Sequence, residues 1–111
     1  MSFYVKLADC CRQRGIVCVV LVPPLYEDLD KFLRTSSARA GFEAWRRRLD
    51  AIFPTVVDLS FSSYGAAENF FKCDPAHFKP DAGVRLLNAE VIPVALRALQ
   101  AKTNRLAAIT R

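Results

Sequence analysis

Ile16-Val17-Cys18-Val19-Val20-Leu21-Val22, closed by Pro23-Pro24, is the stretch that decides the fold. All seven residues are apolar, most are β-branched, and no polar residue alternates with them. A strand of that composition is covered on both faces, as strands of parallel sheets are. Parallel strands need a long, usually helical, crossover between them, so the flanking segments should read as helices. Upstream, residues 2 to 14 do. Phe3, Leu7, Cys10 and Cys11 recur at helical spacing, Arg12 and Arg14 suit a C-terminal end, and Gly15 is a natural stop.

Downstream, Glu27 to Arg34 predicts a short helix, and Thr35-Ser36-Ser37 a polar break. From Ser37 to about Ile52 a second helix follows, with Ala38, Phe42, Trp45, Leu49 and Ile52 as its apolar stripe. Pro54 punctuates, and 55–61 reads as a second strand. Residues 62–72 read mostly as loop, with a turn at Tyr64-Gly65. A last helix starts at Pro80-Asp81, where proline suits the first helical position and the carboxylate suits the dipole. Its expected buried stripe is Val84, Leu87, Val91, Val94 and Leu99, and Pro93 should kink or split it. The order α-β-α-α-β-loop-α is α/β, with a small parallel sheet and a right-handed crossover. No repeat or linker divides the chain, so residues 1–111 read as one domain. Two strands leave a parallel sheet with bare edges. The expectation is that further strands come from the rest of a larger parent protein, rather than from a partner chain covering the edge.

Composition sets the outer bounds. Of 111 residues, 52% are hydrophobic and 24% charged, and eight Phe, three Tyr and one Trp exclude a disordered tail. Four Gly and six Pro without a repeat exclude a collagen-like or low-complexity chain. No run approaches the ~18 apolar residues of a membrane span, so no direct membrane insertion is expected. Met1 to Lys6 lacks the basic-then-apolar order of a signal peptide. The surplus of 16 Lys and Arg over 11 Asp and Glu is +5. Its one run, Arg46-Arg47-Arg48, fans around a helix instead of forming a stripe, and reads as a solvated, ion-paired face rather than a nucleic-acid surface. Glu27, Asp28 and Asp30 read as the acidic first turn of a helix in preference to a cation site.

Four cysteines, Cys10, Cys11, Cys18 and Cys73, contain no Cys-x-x-Cys pair, which removes the usual zinc and thioredoxin-like spacings. Cys73 and His77 are four apart, but no second pair completes a metal site, so neither metal nor cofactor is expected. Cys18 reads as a small buried hydrophobe.

The chemistry lies in Phe70-Phe71-Lys72-Cys73-Asp74-Pro75-Ala76-His77-Phe78-Lys79-Pro80-Asp81-Ala82-Gly83. His77, the only histidine, stands three residues after Asp74 in a loop that leads into the last helix. A carboxylate within reach of an imidazole fixes its tautomer and stabilises the imidazolium, which is what a general base needs. Pro75 disfavours the helical region for Asp74 and so holds it extended before the turn. Phe70-Phe71 reads as core or as the lining of an acyl pocket, with core the safer reading. The competing reading makes His77 a cap of the last helix and Asp74 a surface turn residue.

Asp74-Pro75-Ala76-His77, followed by Phe78, a proline and Gly83 at the start of an amphipathic C-terminal helix, resembles the Asp-x-x-His block of SGNH (GDSL-type) hydrolases. That family includes esterases, lipases and O-acetyltransferases of bacterial cell-envelope polymers. The likeness extends weakly over most of the chain, which matches the second half of that flavodoxin-like three-layer sandwich. It implies a serine nucleophile activated by His77, with Asp74 orienting the ring, and an oxyanion hole of backbone amides, a glycine and an asparagine side chain. The implied substrate is a small acyl ester or an acetylated polymer, and the implied compartment of the parent is periplasmic or cell-envelope. No Gly-Asp-Ser and no Gly-x-Asn-Asp occurs in these residues, Ser60, Ser62 and Ser63 lie where the family has no nucleophile, and Asn69 and Asn88 lack the glycine context. The serine is therefore expected in an N-terminal half of the parent, with this chain as its C-terminal half, inert when isolated. The alternative is a non-catalytic α/β module of a larger cell-envelope or assembly protein.

Overall fold

The computed structural model describes residues 1–110, and the chain is mixed α/β and mostly helical. In order it forms α1 (Ser2–Gln13), β1 (Val20–Val22), α2 (Glu27–Thr35), α3 (Ala38–Ile52), β2 (Val56–Asp58), two 3₁₀ turns (Ser63–Gly65 and Ala67–Asn69), α4 (Pro80–Leu86), a π turn (Leu87–Val91) and α5 (Ile92–Thr110). The strands pair in parallel, Val20 opposite Val56, Leu21 opposite Val57 and Val22 opposite Asp58. As the apolar run requires, alternate residues of the β1 segment serve two clusters. Cys18, Val20 and Val22 pack with Leu49 and Phe53, which are buried, and with Ala8 of α1. Val19 and Leu21 pack on the other side with Val57, Leu59 and Leu86 and with Val91 and Val94 of α5.

Three expectations need correction. The strands are shorter than 16–22 and 55–61, because the ladder extends only as far as both partners stay extended. Asp58 ends β2: its Oδ1 accepts the Ser60 amide at 3.0 Å and the Ser60 hydroxyl at 2.5 Å, folding the chain at once. Second, α1 buries no residue fully, and its Phe3 is 70% exposed. Contact with the core runs instead through Ala8, and through Tyr4, whose ring meets the Phe53 ring edge-on at 6.3 Å.

Third, the last helix buries Ala82 and Leu86, whereas Val84, Leu87 and Leu99 are exposed. For Val84 and Leu87 the π turn supplies the reason, whereas Leu99 stands five residues after Val94 and so off the inward face. The π segment inserts a wide turn immediately before Pro93, where the ring of a regular α-helix would strike a carbonyl one turn back. The inward face then passes from Leu86 to Val91, five residues on, before returning to helical spacing at Val94. Pro93 neither breaks the helix nor leaves its phase unchanged.

Elsewhere the polar chemistry follows the sequence. Arg46 reaches Asp58 at 2.5 Å and Asp50 at 3.3 Å, while Arg47 and Arg48 face solvent. Glu27 Oε2 accepts the Ala67 amide at 3.1 Å, and Asp30 pairs with Arg34. Those acids bind the chain to itself. Among the described residues, no group of three or more His, Cys, Asp or Glu is arranged to hold a metal ion, and no helix is long and apolar enough to cross a membrane.

Candidate active site

The Asp74–His77 loop is a clamped hairpin standing on an aromatic base. Phe70 and Phe78 form an isolated antiparallel bridge, with their rings stacked 4.4 Å apart at 30°. Phe70 is buried, and it also meets Tyr26 edge-on at 5.2 Å. Backbone bonds close the clamp: the Phe71 amide donates to the His77 carbonyl at 3.2 Å, and the Lys79 amide to the Asn69 carbonyl at 2.8 Å. Buried Asn69 locks the lower side. Its Nδ2 donates to the Tyr64 carbonyl at 3.0 Å, and its Oδ1 accepts from Arg85 at 3.1 Å. The Tyr64-Gly65 turn lies equally close, since a Cβ on Gly65 would run into the Leu25 carbonyl oxygen. Phe71 is exposed, so only the first of the adjacent phenylalanines is core.

Within the hairpin the chain reverses at Cys73, whose φ of 61° lies in the left-handed region that non-glycine residues rarely occupy. The Asp74 amide then donates back to the Phe71 carbonyl at 3.0 Å. Asp74 Oδ1 accepts the Ala76 amide at 3.0 Å, and Oδ2 faces His77 Nδ1 at 2.8 Å. The two residues singled out by the sequence are therefore in direct contact. The Ala76 amide, and after it the His77 ring, hold the Asp74 carboxyl below its usual range. Because that pKa is depressed on folding, the stabilisation it represents is present above the unfolded carboxyl value of about 3.9 and is lost as pH falls through the lower folded value. At neutral pH Asp74 is ionised and accepts only, so the neutral imidazole must carry its proton on Nδ1. Long-range ¹H–¹⁵N spectra should show that tautomer for His77, and Asp74→Ala should redistribute it. An Nε2–H tautomer in the unmodified protein would dissolve the pair.

His77 is 74% exposed at the side chain and Asp74 40%. Beside them lies a cavity of about 450 Å³, with Tyr26, Asp28 and Leu29 on one wall and Cys73 to Ala76 on the other. His77 is not among its walls. Both walls belong to segments beyond the C-terminal ends of the strands, the end at which open α/β sheets place their sites.

None of the serines considered from sequence reaches the imidazole among the described residues. Ser60 is buried on Asp58, Ser62 Oγ donates to the Leu59 carbonyl at 2.7 Å, and Ser63 is exposed. Asn69 is committed to the Tyr64 carbonyl and to Arg85, and Asn88 is exposed on the last helix. Sequence reasoning missed the Phe70–Phe78 stack and Asn69, although aromatic residues bracketing the motif eight positions apart were the available signal. Comparison with family models, curated proteins and solved structures finds no match for the chain.

Proposed function

We propose that Asp74 and His77 are the base half of an SGNH-like ester hydrolase or O-acyltransferase, whose serine and oxyanion donors lie outside these 111 residues. The contact from Asp74 Oδ2 to Nδ1 carries the reading, since it leaves Nε2 with no protein partner among the described residues. In that reaction Nε2 takes the serine proton as Oγ bonds to the acyl carbon. It returns the proton to the departing alcohol, and water or an acceptor hydroxyl then releases the acyl group by the same steps in reverse. Asp74 stays ionised throughout and steadies the imidazolium. Small acyl esters or acetylated polymers are the substrates, the parent is a periplasmic or envelope protein, and no cofactor takes part.

Two features of the fold support a larger, flavodoxin-like sheet around these strands. Val17, Cys18 and Val19 are half-buried residues whose backbone makes no hydrogen bond among the described residues, a row of free groups that a neighbouring strand would pair. The radius of gyration, 16.6 Å, exceeds the roughly 13 Å of a compact chain this long. A fluorophosphonate probe on the intact parent should label one serine outside these residues, and His77→Ala should slow labelling at least a hundredfold. The second reading, a non-catalytic module, is favoured by the exposed ring and by its absence from the cavity walls. Labelling that ignores His77→Ala would remove His77 from the mechanism, and no labelled serine at all would favour the non-catalytic module.

A further inference from the structure

A second cavity, of about 700 Å³, opens at the opposite, N-terminal end of the strands, between α1, the α3–β2 connection and α5. Its apolar surface comes from Ala8, Cys18, Ile52 and Phe53, and from Ala98 and Ala101, whose small side chains on α5 leave the room. Charge at its edge is one-sided. Lys102 and Arg105 border it together with Arg12, which is paired with Asp9 at 2.5 Å, against the single lining acid Asp50, which accepts from Arg46 at 3.3 Å. Lys102 Nζ donates to the Gly15 carbonyl, which leaves its charge uncompensated, and Arg105 pairs with no carboxylate among the described residues. The volume is that of a small-molecule site. Of the lining side chains that hydrogen-bond, Arg12, Asp50, Thr55, Lys102 and Arg105, three are cations and the rest of the wall is apolar, so an apolar body with one anionic end satisfies both halves of it.

The geometry points to a binding site for an amphiphilic anion, an alkyl chain carrying a carboxylate or phosphate head, with Lys102 and Arg105 at the head and the α1–α3–α5 floor along the chain. The cavity shares no residue with the Asp74–His77 site, and the strand proposed beside Val17 and Cys18 would add to its wall without supplying the Lys102 and Arg105 charges on which this inference rests.

The test uses dodecanoate and dodecyl phosphate, each below its micelle concentration, titrated into the reduced 111-residue chain by calorimetry. Thiol alkylation is followed in parallel. Cys11 and Cys18 line the cavity, whereas Cys10 and Cys73 are exposed outside it and serve as internal controls. At least one of the two anions should bind saturably at one per chain and slow alkylation of Cys11 and Cys18 at least tenfold, leaving Cys10 and Cys73 unchanged. The stronger anion identifies the head group. Arg105→Glu, on the exposed side of α5, should weaken binding about tenfold or more, and Ala101→Phe should abolish it by filling the space. No saturable binding of either anion would overturn the site. So would equal binding of dodecyltrimethylammonium or dodecanol, or unchanged affinity in Arg105→Glu with no protection of Cys11 and Cys18.

Discussion

Turnover of a short-chain ester by the intact parent should fall about 10⁴-fold in His77→Ala, with KM little changed. The magnitude follows from what the imidazole does: without it the serine hydroxyl must be deprotonated by water, while the groups that bind substrate stay in place. Asp74→Asn should cost about as much, because an asparagine amide facing Nδ1 would favour the wrong tautomer without disturbing the ring's position. The two changes remove one device, so the double variant should be no slower than the worse single one. Exposure of the ring makes this a demanding test. If protein from elsewhere in the parent covers it, Nε2 works in a drier setting and the whole effect appears. If the ring stays as open as it is here, a drop smaller than about tenfold would leave His77 with no role in catalysis.

The parts of the fold that were legible rest on short-range physics. An apolar run without alternation implies a strand buried on both sides, and the two clusters divide along it, even-numbered residues to one and odd-numbered to the other. The Asp74–His77 contact was also legible, because a three-residue spacing with Pro75 between leaves the side chains little choice. The phase of the last helix was not. Periodicity assumes a constant turn, and one wide turn before Pro93 moved the buried face upstream of it from Val84 and Leu87 to Ala82 and Leu86, while Val91 and Val94 pack on the core as expected. Strand length was hidden for a different reason. It depends on where the partner strand turns, and at Asp58 that turn is set by its own bonds to Ser60. Aromatic pairing across the hairpin base is a tertiary fact: Phe70 finds Phe78 only because Cys73 turns the chain back between them.

That base carries the other large effect. Phe70→Ala should destabilise the chain by about 3–5 kcal/mol, the usual cost of deleting a buried phenylalanine and leaving part of its volume empty. Phe70 is 3% exposed, stacks on Phe78 and meets Tyr26 edge-on, so its loss removes contacts on two sides at once. Against a typical total of 5–15 kcal/mol this is a major fraction, and the melting temperature should drop on the order of 15 °C. Phe70→Leu, which keeps most of the volume but not the ring, should cost about 1–2 kcal/mol. The pair of variants separates folding from positioning. In Phe70→Leu the protein stays folded, yet the hairpin has lost its flat support, so amide exchange at Phe71 and Lys79 should quicken and the His77 Nδ1–H tautomer should become mixed. A melting temperature within 3 °C of the unmodified protein in Phe70→Ala would mean that the stack does not hold the hairpin. Were the His77 tautomer also unchanged there, the local bonds from Asp74 to Ala76 and to the ring would be sufficient to fix the pair without an aromatic floor.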